Sequence, residues 1–521
     1  MLDYTSLSEV AQLYMKQSLL LALALFPLFA HPAFSQEKPL QLRAAIQLSS
    51  VASEGSYDLP SIAATAKANG ISVVIITDRD LMKWEYGVWP LRNIFKKTVR
   101  RSSLFTYGIK QYLSYLEQIQ QKFPEVLLIA GVESAPHYFW QGSPIESAAL
   151  QEEKASGRAQ ALRRKLGQQK GAGKDSAAYR NLRMYNWHRH ILTVGLEKHT
   201  DYARLPIVGN PRGLRKGFNP LALWPVILIA LAAWLFFAEA KIPKGQKIIA
   251  VVLAAIGLLF FFNNWPFFKL SFDQYHDSGN RPYQEYINYV NRKGGLTFWS
   301  HPELDAKQFI GGVDFVTAEH SASLAETDGY TGYCVFPHGS REIGKPKGLW
   351  DELLLEYCQG VRNTCPWAIA GLAFEDGNLR REIKQRQTVI LTGERSERAV
   401  VDALRNGKMY ALEGYRSADF RLNEFSVADA GGRVKGIAGD TVKIDGKPRL
   451  HISGGFADWQ DSVEIRVIRD GNIFQRYILE TPFNIVCTDE KPPQENTKSY
   501  YRLEIVNKGV HLISNPIFVE R

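Results

Sequence analysis

Two apolar runs decide most of what this chain can be. Residues 221–238 carry no charge, and residues 248–262 continue without one to residue 268. Each is close to the roughly 20 residues that an α-helix needs to cross a bilayer. Trp224, Trp234 and Trp265 lie within or near the ends of the runs, as interfacial anchors do. So few polar residues over so long a stretch argue against the alternative, a hairpin buried in a protein core. Two spans return the chain to the side it left, so whatever precedes and follows residues 220–268 shares one face of the membrane. Lys241, Lys244 and Lys247 in the connecting turn favour a cytoplasmic turn, against Arg212, Arg215 and Lys216 on the other flank. The start of the chain agrees. Met15-Lys16 precedes a short apolar stretch over 18–30, and Ala33-Phe34-Ser35 is a small-x-small cleavage pattern. Residues 1–35 therefore read as a secretory signal, with Met15 a candidate initiator and an uncleaved anchor as the alternative. The expectation is a protein of the inner (cytoplasmic) membrane with its globular parts on the extracytoplasmic, periplasmic side.

At 521 residues the chain has room for two or more cores. Its net charge of +10 is concentrated between Lys154 and Arg189, where ten basic residues face the single Asp175. The rest is near neutral, and that basic stretch lacks the interleaved aromatics that stack nucleic-acid bases, so no nucleic-acid partner is expected. Residues 141–185 have no apolar periodicity and read as a solvated insertion. Its basic part, 154–189, suits acidic lipid headgroups beside a membrane segment. Four cysteines are too few for a disulfide framework.

The globular parts begin with a βαβ pattern over residues 42–80. An apolar strand leads into a loop through Ser53, Glu54, Gly55 and Ser56. Pro60 opens a helix that Gly70 ends, and residues 71–77 form a β-branched run too apolar to have a wet face. Strands of this kind recur at 125–130, ending in Gly131-Val132-Glu133-Ser134, and at 188–196, which His190 enters with His188 beside it. Another runs through Gly294-Gly295 to Trp299-Ser300-His301-Pro302. From about Asp419 the pattern turns to alternating strands with turns at Gly431-Gly432, Asp445-Gly446 and Asp470-Gly471, which predicts a β-sandwich.

These motifs resemble the polymerase and histidinol phosphatase (PHP) family of metal-dependent phosphoesterases. The family's H-x-H opening is matched by Gln47-Leu48-Ser49, its acidic turn by Glu54, and its T-D-H-D by Thr77-Asp78-Arg79-Asp80. Its G-x-E is Gly131–Glu133, its strand-entry histidine His190 and its histidine-proline His301-Pro302. Its closing aspartate and histidine are replaced by Ala373 and Glu375. The resemblance covers roughly residues 40–140, 186–200 and 280–521. It implies an α/β fold: a (β/α)7 barrel interrupted by the transmembrane hairpin and followed by the sandwich. The parts are then 36–219, 220–268, 269–415 and 416–521.

The resemblance also implies a chemistry. Glu133, His190 and His301 match at every position and would hold one divalent metal, zinc or manganese, as the catalytic set. The other metal positions are lost, and Arg79 puts a fixed positive charge where a cation would sit. It would pair with Glu54 or Glu375, or bind a phosphorylated or otherwise anionic small molecule. Asp78 and Asp80 flank it. Three readings stay open: a single-metal phosphoesterase, a metal-free anion-binding pseudoenzyme, and a membrane-tethered structural or partner-binding protein.

Overall fold

A computed structural model describes residues 38–142, 182–237, 243–267, 269–432, 435–491 and 493–521. The expected signal (1–35) and most of the basic insertion lie outside these residues. β1 (Leu40–Leu48) enters a turn and then α1 (Leu59–Ala68). The carboxylate of Asp58 caps that helix by accepting from the Ser61 amide at 2.9 Å, and Pro60 sits in its first turn, where no amide hydrogen is needed. β2 (Val73–Arg79) is buried along its whole length and pairs in parallel with β1 and with β3 (Leu127–Ser134). α2 (Ile109–Lys122) packs on β3 and α1, turning Tyr112, Leu116 and Ile119 inward.

β4 (His190–Val194) is antiparallel to β3 and to β5 (Leu296–Ser300). β6 (Gly332–Phe336) and β7 (Trp367–Ala370) then add in parallel. Past β7 the chain comes back to β1. Leu372 N donates to Ile46 O at 2.6 Å, Phe374 N to Gln47 O at 3.1 Å, and Ser49 N to Phe374 O at 3.0 Å. Backbone pairing therefore links the end of the seventh strand to the first, and the C-terminal ends of β1, β2 and β3 open onto one region. One core of Ala, Val, Ile and Leu from these strands, with Trp299, Tyr283, Tyr286 and Trp350, fills the interior.

The main sheet does not stop there. β8 (Arg386–Thr392) lies beside β1, and β9 (Met409–Glu413) pairs with β8. A helix, Glu397–Arg405, leads into β9. The sheet runs on through the C-terminal strands Lys498–Val506 and Ser462–Arg469, giving a mixed α/β architecture of fifteen strands. A separate four-stranded sheet holds Phe420–Ala428 and Arg449–Phe456. A second core, built from Phe420, Val427, Ile452, Ile465, Leu503 and Leu512 among others, takes residues from both sheets. Buried Arg502 ties this region to the helix Leu349–Cys358 through paired bonds of 2.7 Å to both oxygens of Asp351.

The two apolar runs form helices Trp224–Phe237, extended by a 3-10 turn from Pro220, and Lys244–Asn264. Both are long and apolar enough to cross a membrane, and little of either is covered by the rest of the chain. They touch each other where Gly257 leaves room for Ile229. All four cysteines are free.

Candidate functional site

The C-terminal ends of β1, β2, β3 and β5, with the N-terminal end of antiparallel β4, bring one buried polar cluster together. Glu133 stands near the end of β3, His190 opens β4, which runs the opposite way, and His301 follows β5. One donor atom from each lies within 4.8 Å of the others. This spacing is close enough to hold a metal ion. His190 Nδ1 is 3.0 Å and His301 Nε2 3.7 Å from Glu133 Oε1.

Two further side chains enter the same space. β1 is bulged at Gln47, whose φ of 66° re-aims its side chain. The Gln47 Nε2 then sits 3.1 Å from Glu133 Oε1, 2.8 Å from His301 Nε2 and 2.7 Å from Ser300 Oγ. Gly371 makes room for it: a Cβ there would meet Gln47 Oε1 at 2.2 Å. Arg79, the last residue of β2, puts Nη1 2.8 Å from His190 Nδ1 and 3.4 Å from Glu133 Oε1. Its Nη2 donates to Glu375 Oε1 at 2.7 Å, and its Nε is 3.4 Å from Glu54 Oε2. That Nε is buried and has no hydrogen-bond partner.

The charges interlock. Burial alone would raise the Glu133 carboxyl, but Arg79 holds it well below the usual range, so it is ionised. Burial would lower the Arg79 guanidinium, yet Glu133, Glu375 and Glu54 together raise it. Burial and then Arg79 push His190 down to about 4, which leaves it neutral near pH 7. Glu54 is raised, chiefly by burial.

This arrangement decides how well a metal fits. A zinc or manganese ion would need the lone pairs of Glu133, His190 and His301 at about 2.0–2.2 Å. Those atoms already face N–H groups: the Arg79 guanidinium at His190 and Glu133, and the Gln47 amide at Glu133 and His301. A fixed cation adjoins two of the three ligand positions. The donor set as it stands does not fit a resident metal.

The remaining expected residues fall in different places. Asp78 is not part of the cluster. It caps the loop after β1, accepting from Ser50 N at 2.7 Å and Ser53 Oγ at 2.6 Å. Asp80 lines a cavity of about 40 Å³ beside Arg79, with Glu54, Glu133, His188 and His190. That is room for a water molecule or so and not for a phosphate ester. Asp80 accepts from the Ser134 hydroxyl, and burial pushes it up to about 7. His188 borders the cavity and stays outside the ligand group. Ala373 has only a methyl group to offer, and the backbone amide of Ser49 donates to Phe374 O at 3.0 Å. Gln47 is the member that sequence reasoning left out as a mere replacement. Its place at the first position of the H-x-H pattern was the signal.

Outside the cluster an open cleft of about 750 Å³ is lined by Ser53, Glu54, Arg100, Arg101, Ser102, Thr106, Glu375 and Asp376. Arg101 lies 3.7 Å from Glu54.

Among solved structures, the chain is similar to a two-domain protein from Bacteroides vulgatus described as containing a predicted PHP-like metal-dependent phosphoesterase. Identity is 11%, with 93% of this chain and 96% of that one covered and a TM-score of 0.34. It is also similar to a Bifidobacterium adolescentis protein assigned by prediction as a metal-dependent phosphoesterase, at 14% identity, 65% and 90% coverage and a TM-score of 0.26. No family model and no curated protein matches.

Proposed function

We propose that this chain is a membrane-anchored, PHP-like protein whose strand-end site works without a resident metal and takes an anionic group at its mouth. In this reading the seven strands β1–β7 form a barrel, the two C-terminal sheets form a sandwich, and the hairpin holds both on the extracytoplasmic side of the inner membrane. The observation that carries it is the position of Arg79. Its guanidinium, with the Gln47 amide, supplies to Glu133 and the histidines the positive charge and donors that a cation would otherwise supply. The Nε of Arg79, which faces Glu54 at 3.4 Å without a hydrogen bond, and the half-exposed Glu375 are the groups that a ligand would meet. A phosphate or carboxylate would take the place of Glu375 on the guanidinium, forming two parallel N–H···O bonds. Arg100, Arg101, Ser102 and Thr106 would line its approach.

A second reading, a single-metal phosphoesterase using Glu133, His190 and His301, is favoured by the convergence of those three donors. Elemental analysis of the full chain, purified without chelators beside a Glu133→Ala variant, separates the two. The expected result is no stoichiometric zinc, manganese or iron in either. One equivalent lost in the variant would overturn the metal-free site. Calorimetry with pyrophosphate, beside Arg79→Gln, tests the anion. Binding that depends on Arg79 is expected, and binding unaffected by the substitution would refute the role given to it.

A further inference from the structure

Strands Lys83–Gly87 and Lys96–Arg100 form a two-stranded ribbon that leaves the main sheet after β2. Its tip, residues 88–95, is closed by Val88 N to Phe95 O at 2.9 Å and Phe95 N to Leu91 O at 2.8 Å. The tip shows apolar side chains to the outside: Trp89 is 75% and Phe95 58% exposed, and Ile94 is exposed as well. Large apolar groups held out on a closed turn mark a contact surface.

What the surface meets is written in the neighbouring contacts. The tip is fastened to the base of the second apolar helix. Asn93 N donates to Asn263 Oδ1 at 3.0 Å, Asn93 Nδ2 to Asn263 O at 2.7 Å, and Asn263 Nδ2 to Pro90 O at 3.3 Å. Asn263 is buried at the end of that helix. Beside it stand exposed Trp265 and Phe267, and Pro266 O accepts from Asn219 N near exposed Phe218 and Leu221. Apolar side chains from three separate segments thus gather where the two helices join the globular part. Behind the tip the ribbon is basic. Lys96, Lys97 and Arg100 lie on its second strand with Arg101 next along the chain; the ribbon's one acidic residue, Glu85, is held by Lys96 and Lys83 at 3.1 and 3.2 Å, and Arg101 lies 3.7 Å from Glu54.

We infer that the tip of this ribbon is a bilayer-contact element. Trp89, Ile94 and Phe95 enter the interface of an anionic membrane beside the hairpin, and Lys97, Arg100 and Arg101 meet its headgroups. The order is that of interfacial anchors, with aromatic and aliphatic groups a few ångströms into the acyl boundary and cations at the phosphate level. The inference rests on the hairpin spanning the membrane. Since Arg100 and Arg101 also line the open cleft, the element would hold the mouth of the site against the membrane surface.

The test is spin-label accessibility on the full chain, in a Cys358→Ser background, reconstituted into phosphatidylcholine vesicles with and without phosphatidylglycerol. Labels are placed at Phe95→Cys, at Ile227→Cys in the first helix and at Ile478→Cys on an exposed C-terminal strand. The expected result is severalfold protection of the Phe95 label from a water-soluble nickel complex relative to the Ile478 label. Protection would be stronger with phosphatidylglycerol and reduced by Lys97→Glu with Arg100→Glu. A protected Ile227 label beside a fully water-exposed Phe95 label would overturn the inference and leave the hairpin reading intact. A water-exposed Ile227 label would overturn both.

Discussion

Replacing Arg79 by glutamine tests the central electrostatic argument. The Arg79 side chain is 8% and the Glu133 side chain 4% exposed, and the carboxylate is ionised because Arg79 stabilises it. Removing one partner of such a pair leaves a buried charge without its countercharge, which costs about 3–5 kcal/mol. Glutamine keeps an amide near Glu133 but no charge, so the lower end of that range applies, about 3 kcal/mol. Glu375 adds little to this figure because it is half-exposed, and Glu54 keeps Arg101 beside it at 3.7 Å. The pH dependence follows from sign. In the native protein the Glu133 pKa is depressed, so its contribution is present above the ordinary carboxylate pKa and lost as pH falls through the depressed value. Without Arg79, burial dominates and the Glu133 pKa moves upward. The variant is then least stable, relative to the native chain, near neutral pH and above, and the gap narrows as Glu133 takes up a proton on acidification. Denaturant unfolding of the detergent-solubilised full chain across that pH range measures both. Zinc or manganese added to the variant should recover part of the lost stability, since Glu133, His190 and His301 are then free to share a cation. A loss below about 1 kcal/mol at neutral pH, on the scale of an exposed ion pair, or a gap that widens on acidification, would refute the claim that Arg79 balances Glu133.

Other perturbations follow the same physics. Gly371→Ala brings a methyl group to within 2.2 Å of Gln47 Oε1, so the amide must leave Glu133 and His301; unfolding should show a loss of about 1–3 kcal/mol. Arg502→Met strands Asp351 at the junction with the C-terminal sheet, at a cost of about 3–5 kcal/mol, whereas Arg502→Met with Asp351→Leu should regain much of it in the same assay. In the hairpin, Gly257→Leu drives a side chain into Ile229, whose Cγ1 would lie 2.7 Å from the new Cβ, and should part the two helices; disulfide crosslinking between cysteines placed across them would fall.

How much of this was legible beforehand depends on the range of the interaction concerned. The βαβ start was readable because Asp58, Pro60, Gly70 and the all-buried run of β2 each act within a few residues. The motif positions of Glu133, His190 and His301 proved to be neighbours in space, because each sits at or beside a strand end and pairing in register brings those ends together. Less was visible where the cause lies far along the chain. Nothing local to Gln47 announces a bulge, and its use depends on Gly371, more than three hundred residues away. Asp78 and Asp80 flank Arg79, but strand alternation sends both to other partners, Ser50 and Ser134. The sheet that continues from β8 into the C-terminal strands was hidden as well, since turn residues mark where strands end and not which strands pair.

The cluster itself has a logic that single positions conceal. A buried carboxylate at Glu133 is tolerable only with a countercharge and with its remaining lone pairs occupied. A metal meets both needs at once. In this chain Arg79 meets the first and Gln47 the second, and Glu375, reaching in from the segment after β7, balances the outer face of Arg79. Each replacement is unfavourable alone: arginine beside bound metal would repel it, and glutamine without the arginine would leave Glu133 uncompensated. Gln47, Arg79, Glu133 and Glu375 therefore act as one unit, and their substitutions should be strongly non-additive. Glu133→Gln on its own should destabilise by stranding Arg79, yet in the Arg79→Gln background it should cost little or even stabilise, because no buried charge remains to be balanced. Additive losses in that double-mutant cycle would mean that Arg79 is held by Glu54 and Glu375 alone and that the core of the site is organised by something other than this ion pair.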